Sequence, residues 1–160
     1  MEKFIIEGGH PLSGEVTPAG NKNAALPLLA ACLLTDEPVT FHNVPEIMDI
    51  RNMRLLLESL GVEFSSSTPH SWRVQAREVR LASLDPDLCR KIRASILLAG
   101  PMIARSGEME LPPPGGDRLL LQPLPDLEAT WRGRGVCGID SAGSLQWNLR
   151  NRAEAGGPLT

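Results

Sequence analysis

The chain is 160 residues long, 42% hydrophobic and 22% charged, which suits one globular domain with a real core. A net charge of -3 excludes a broad electrostatic grip on nucleic acid and leaves room only for a local cationic pocket that takes a small anion. The longest apolar stretch, residues 24–34, is too short to span a bilayer; with no signal peptide and an odd three cysteines (Cys32, Cys89, Cys137), the chain reads as a reduced, cytoplasmic protein.

Phe4-Ile5-Ile6 reads as a strand, Gly8-Gly9 breaks it, and Gly14-Glu15-Val16-Thr17 begins a second. Pro18-Ala19-Gly20 turns the chain into a helix over residues 23–34, with Asn21 or Asn23 as its N-cap. That helix is apolar on nearly all sides and is expected to be buried. Val39-Thr40-Phe41 is the next strand. Asp49 then caps an amphipathic helix whose Ile50, Met53, Leu56, Leu57 and Leu60 share one face, and Gly61 stops it. Val62-Glu63-Phe64 and Trp72-Arg73-Val74 pair as a hairpin around a loop of residues 65–71. Asp87 begins another helix, apolar at Ile92, Ile96, Leu97 and Ile103; residues 107–111 are strand-like, and residues 112–116 form an exposed, irregular loop. Residues 118–160 keep no sustained period. Leu119-Leu120-Leu121 and the helix-compatible stretch 144–149 are islands in an irregular tail.

An internal repeat runs beneath this pattern. A shift of 70 positions, from Ala24 to Ala94, lays Leu26 on Ile96, Leu28 on Leu98, Leu33 on Ile103 and Phe41 on Leu111, with Asn23 falling on Arg93. Duplicated helix-and-sheet units imply an α/β (α+β) architecture.

The chemistry concentrates at Gly20-Asn21-Lys22-Asn23-Ala24-Ala25-Leu26-Pro27. Here a glycine turn meets the start of a helix, where free N–H groups and the positive end of the helix dipole favour an anion. Lys22, one of only three lysines with Lys3 and Lys91, adds a full charge, and Asn23 adds a neutral donor and acceptor. Taken alone, a lysine at a helix start is more often simply solvated. His10, His42 and His70 have no cysteine or carboxylate partner at ligand spacing, so no metal is expected, and no Walker loop, dinucleotide fingerprint or Ser/His/Asp arrangement is present.

Lys-Asn-Ala-Ala-Leu-Pro after a glycine resembles the UDP-N-acetylglucosamine 1-carboxyvinyltransferases, which use phosphoenolpyruvate in the first committed step of peptidoglycan synthesis. Phe4-Ile5-Ile6-Glu7-Gly8, Gly14-Glu15-Val16, Val44-Pro45, Leu60-Gly61-Val62, Ile92-Arg93-Ala94-Ser95-Ile96-Leu97 and Leu111-Pro112-Pro113-Pro114-Gly115-Gly116-Asp117 look like family positions in the right order, so the resemblance covers residues 2–117. It implies an inside-out α/β barrel of βαβαββ units, incomplete here, with helices inside and sheets outside. Residues 1–20 would belong to the family's second domain, which is missing, and residues 21–117 would be a partial enolpyruvyl transferase domain. The resemblance further implies that Lys22 and Asn23 bind phosphoenolpyruvate, that Arg93 contacts UDP-N-acetylglucosamine, and that Asp117 is the general acid; no cofactor, nucleic acid or membrane is implied.

Many family members carry cysteine where Asp117 stands, and fosfomycin alkylates that cysteine, so an active enzyme with this sequence is expected to resist it. A carboxyl can serve only if desolvation raises its pKa enough to hold a proton near neutrality. After Asp117 the family pattern fails: the expected arginine five residues on is Gln122, with an echo only in Pro125 and Asp126. That abrupt loss points to a shifted reading frame or a truncated gene for residues 118–160; without the second domain, strand edges and helix faces would lack partners, so the chain expressed alone is expected to be marginal and aggregation-prone. The related 5-enolpyruvylshikimate-3-phosphate synthases follow their lysine with a serine and then an arginine, which Asn23-Ala24-Ala25-Leu26-Pro27 does not match. A non-catalytic nucleotide-sugar-binding fragment is the alternative from a different class.

Overall fold

In the computed structural model the described residues are 3–9, 11, 13–80, 84–115, 136–139 and 144–148. Phe4, Ile5, Ile6 and Val16 are exposed and form no strand, contrary to the sequence expectation. β-prone residues make a strand only when a neighbour takes up their N–H and C=O groups, and no described strand lies beside them.

Helix α1 (Lys22–Ala31) is capped by Asn21, whose side-chain oxygen accepts a hydrogen bond from the Asn23 N–H at 2.7 Å. A 3-10 turn, Cys32–Leu34, ends it. Burial corrects the expectation of an enclosed helix. Leu26, Leu29, Ala30, Cys32 and Leu33 are buried, while Leu28 and Leu34 are 52% and 58% exposed, because the helices Met48–Ser59 and Ala99–Ser106 and the 3-10 helix Arg93–Leu98 pack against one side only.

Strand β1 (Val39–Phe41) leads into α2 (Met48–Ser59), and Ile50, Met53, Leu56, Leu57 and Leu60 are all fully buried, as their 3.6-residue period requires. The N-cap is Ile47, without a side-chain hydrogen bond, so Asp49 does not cap the helix but lies in its first turn. Strands β2 (Glu63–Thr68) and β3 (Ser71–Gln75) form the expected hairpin with a tighter turn, because Ser65 and Ser66 pair with Arg73 and Trp72 instead of looping out. The sheet order is β1-β3-β2, all antiparallel. Phe64 and Trp72 meet edge to face at 5.8 Å, and the Arg54 guanidinium of α2 lies over both rings, fastening helix to sheet.

The next helix starts earlier than expected and breaks. Asp85, not Asp87, caps α3 (Pro86–Lys91) by accepting from the Asp87 and Leu88 N–H groups. Ile92 is extended (φ -134°, ψ 130°) and buried, and the chain restarts as the 3-10 helix Arg93–Leu98, which runs on into α4 (Ala99–Ser106). The buried Ser95 hydroxyl donates to the Ile92 carbonyl at 3.0 Å, and the Ser95 N–H donates to the same oxygen at 3.4 Å, so the carbonyl at the break is taken up by the start of the 3-10 helix. Strand β4 (Glu108–Leu111) follows.

The proline-rich loop after β4 is not exposed: Pro112 is buried and Pro113, Pro114 and Gly115 are half-buried. The Gly115 N–H donates to the Cys89 carbonyl at 2.9 Å, and a side chain at this position would collide with the Arg90 backbone, so the close approach demands glycine.

Two strands, β5 (Val136–Ile139) and β6 (Leu145–Asn148), fall in the region read as an irregular tail, and β6 replaces the helix-compatible island with a strand. They complete a second antiparallel sheet, β4-β6-β5, in the same order as the first. The repeat is therefore visible in topology as well as in sequence. Arg105 of α4 joins the two units, donating to the carbonyls of Leu33 (3.0 Å), Thr35 (2.8 Å) and Arg77 (2.8 Å).

Candidate functional site

Lys22 and Asn23 stand together at the start of α1. Gly20 reaches them by passing so close to the Asn43 carbonyl and the Pro45 ring that a side chain there would collide with both. Asn43, with φ 56°, donates from its side chain to the Pro18 carbonyl at 3.4 Å, and Val44 is held to His70 through its own N–H and carbonyl, each bond 2.9 Å. The turn that presents Lys22 is thus braced by backbone.

Pro27 lies inside α1 and has no N–H to give the Asn23 carbonyl, one helical turn earlier. The Asn23 side-chain amide is exposed and makes no hydrogen bond among the described residues. One short stretch therefore offers an ammonium, an amide and a carbonyl released from its helix.

The Lys22 ammonium meets Asp49 Oδ2 of α2 at 2.7 Å, with the two side chains 48% and 38% exposed. Sequence reasoning missed Asp49 as a partner. It looked like a helix cap, and the contact spans 27 residues, beyond any local spacing rule. Beside Asn21, between α1 and the segment 41–44, lies an apolar cleft of about 210 Å³ bordered by Ala24, Ala25, Leu28 and Phe41.

Arg93 opens the 3-10 helix that packs against α1; it is exposed and has no ion-pair partner among the described residues. Asp117 lies outside the described residues; its loop is described as far as Gly115, which abuts the end of α3 just ahead of Arg93. Among the described residues no group of three or more His, Cys, Asp or Glu side chains could hold a metal ion, and no helix is long and apolar enough to cross a membrane. Burial pushes the thiols of Cys32 and Cys89 up to about 11, so neither is a ready nucleophile.

Helix-and-sheet units of this kind are found in the enolpyruvyl transferase NikO of Streptomyces tendae, which superposes with a TM-score of 0.70 over 88% of this chain and 31% of its own; at 23% identity that likeness carries the fold alone. The family model for EPSP synthase (3-phosphoshikimate 1-carboxyvinyltransferase) matches residues 6–136, and the chain belongs to that family.

Proteins called UDP-N-acetylglucosamine 1-carboxyvinyltransferase are similar over most of the chain. That of Bradyrhizobium diazoefficiens is 53% identical over 115 residues, 72% of this chain and 27% of its own length. That of Treponema denticola is 45% identical over 117 residues, 73% of this chain and 28% of its own. That of Bacteroides fragilis is 42% identical over 123 residues, 74% of this chain and 28% of its own. The chain spans about a quarter of the length of these curated relatives.

Proposed function

We propose that this chain carries the N-terminal part of a UDP-N-acetylglucosamine enolpyruvyl transferase, which moves the enolpyruvyl group of phosphoenolpyruvate to the 3-hydroxyl of the sugar nucleotide. The observation that carries the reading is the start of α1. A lysine and an asparagine amide gather there at a braced, capped helix N-terminus, which suits a small phosphorylated acid.

In this reading Lys22 and Asn23 hold phosphoenolpyruvate, and Arg93 contacts the sugar nucleotide through a guanidinium with no competing ion pair among the described residues. Asp117 delivers the proton that C3 gains as the sugar hydroxyl adds to C2; C3 then loses a proton as phosphate leaves. A second domain closes the pocket, and the setting is peptidoglycan synthesis in the cytoplasm, with its bearing on cell shape and division.

Alone, the chain binds without turning over. Calorimetry with UDP-N-acetylglucosamine and a phosphate-release assay with phosphoenolpyruvate test this together. Binding without phosphate release is expected, and no binding of either compound refutes the reading. Fosfomycin is expected to leave no adduct mass on Asp117.

For residues 118–160 we keep the reading of a shifted frame, on the loss of the recognisable family motifs after Asp117, set against a family-model match that runs on to residue 136. A second reading, that the tail continues the repeat, has β5 and β6 in its favour. A family-like continuation in another frame of the coding DNA after codon 117 would decide for the first.

A further inference from the structure

We propose that Asp49 is the positioning residue for Lys22, holding its ammonium over the start of α1 so that phosphoenolpyruvate meets a fixed cation. This rests on the reading of Lys22 as a phosphoenolpyruvate ligand. Lys22 is the first residue of α1, the end where the helix dipole repels a cation, and α1 has no acidic residue in its first turn to offset this. An unrestrained lysine stem would carry its charge away from the helix start and into water.

Asp49 prevents that. Its carboxylate lies 2.7 Å from the ammonium and occupies one of three N–H donors, leaving two for an incoming anion. Asp49 is itself well placed, because it lies in the first turn of α2, where the dipole favours an acid. Its helix cannot drift. Ile50, Met53, Leu56 and Leu57 are fully buried, and Arg54 is stacked on Phe64 and Trp72. The neighbouring cation Arg51 is already paired with Glu46, so Asp49 is left to Lys22. Both partners are more than a third exposed, and such a pair adds little to folding stability. What it fixes is where the charge stands.

The test uses the full 160-residue chain and two readouts. The first needs no ligand. Lys3, Lys22 and Lys91 are the only lysines, so acetylation followed by mass spectrometry reports each ammonium separately. Asp49→Asn is expected to raise labelling of Lys22 while Lys3 and Lys91 stay unchanged, and Asp49→Glu is expected to restore protection. Unchanged labelling of Lys22 overturns the tether.

The second readout is calorimetry with phosphoenolpyruvate. Asp49→Asn should weaken binding about tenfold with no change in the urea midpoint. In the Lys22→Met background the same change should cost nothing more, because Asp49 acts only through Lys22. Equal or tighter binding by Asp49→Asn would make the carboxylate a bystander or a competitor and overturn the proposal. A wild-type chain that takes up no phosphoenolpyruvate refutes the ligand reading, and the labelling result still decides the tether.

Discussion

Shifted by 70 positions, α1 and the stretch 93–106 hold equivalent places ahead of two sheets of the same strand order, yet their helix starts differ. The first begins with an asparagine cap and a lysine tied to Asp49; the second follows an extended Ile92 with no side-chain cap and begins with an exposed arginine that is unpaired among the described residues. Their burial differs too. Leu28 is half exposed, whereas its counterpart Leu98 is fully buried, at the end of a 3-10 helix that contacts α1, α2, α3 and α4. Topology survives duplication because strand order and one buried helix face suffice for it, while the exposed helix ends are free to acquire different chemistry.

The largest expected effect breaks the comparison at its most unequal pair. Leu98→Lys places a charge where no water reaches and should abolish cooperative folding by circular dichroism, at a cost of several kcal/mol. A folded variant with an unchanged melt would mean that the second unit is not packed as described. Next come Leu33→Ala and Ile103→Ala, which the repeat makes equivalent and which are both buried. Each should cost about 2–5 kcal/mol in urea denaturation and shift one common transition. Two separate transitions would show that the units do not share a core.

A smaller effect comes from the two buried thiols, Cys32 at the end of α1 and Cys89 in α3. Burial raises both above the ordinary 9.0, to about 11, so the folded chain keeps its protons where the unfolded chain releases them. That contribution is complete below about 9 and is lost as pH rises toward 11, so the urea midpoint should fall across this window. Replacing both cysteines by alanine should flatten the fall. Smallest of all is Leu28→Lys, at a site 52% exposed, which should change stability by less than about 0.5 kcal/mol while reducing self-association in light scattering.

Much of this was legible in the residues. The apolar period of α2 named five positions that are all fully buried, and the lysine and asparagine at a glycine turn named the helix start with its charge. Serine misled at β2, because a strand with one face in water tolerates hydroxyls that read as loop. The apolar spacing from Ile92 to Ile103 hid the break, since periodicity records which residues are inward and not whether the backbone between them stays helical. Asp49 was invisible as a partner because only the packing of α1 on α2 makes it one. Phe4, Ile5 and Ile6 carry strand propensity without a ladder to join.

Arg105 has a consequence for how the molecule opens. Its guanidinium belongs to the second unit, and all three carbonyls it binds belong to the first. A partial opening that frees α4 must give up these charge-assisted bonds and strand three acceptors, so the cheapest route to exposing either helix layer is to expose both. Amide hydrogens in α1 and α4 should therefore exchange with a shared opening free energy, and Arg105→Ala should let those of α4 exchange first.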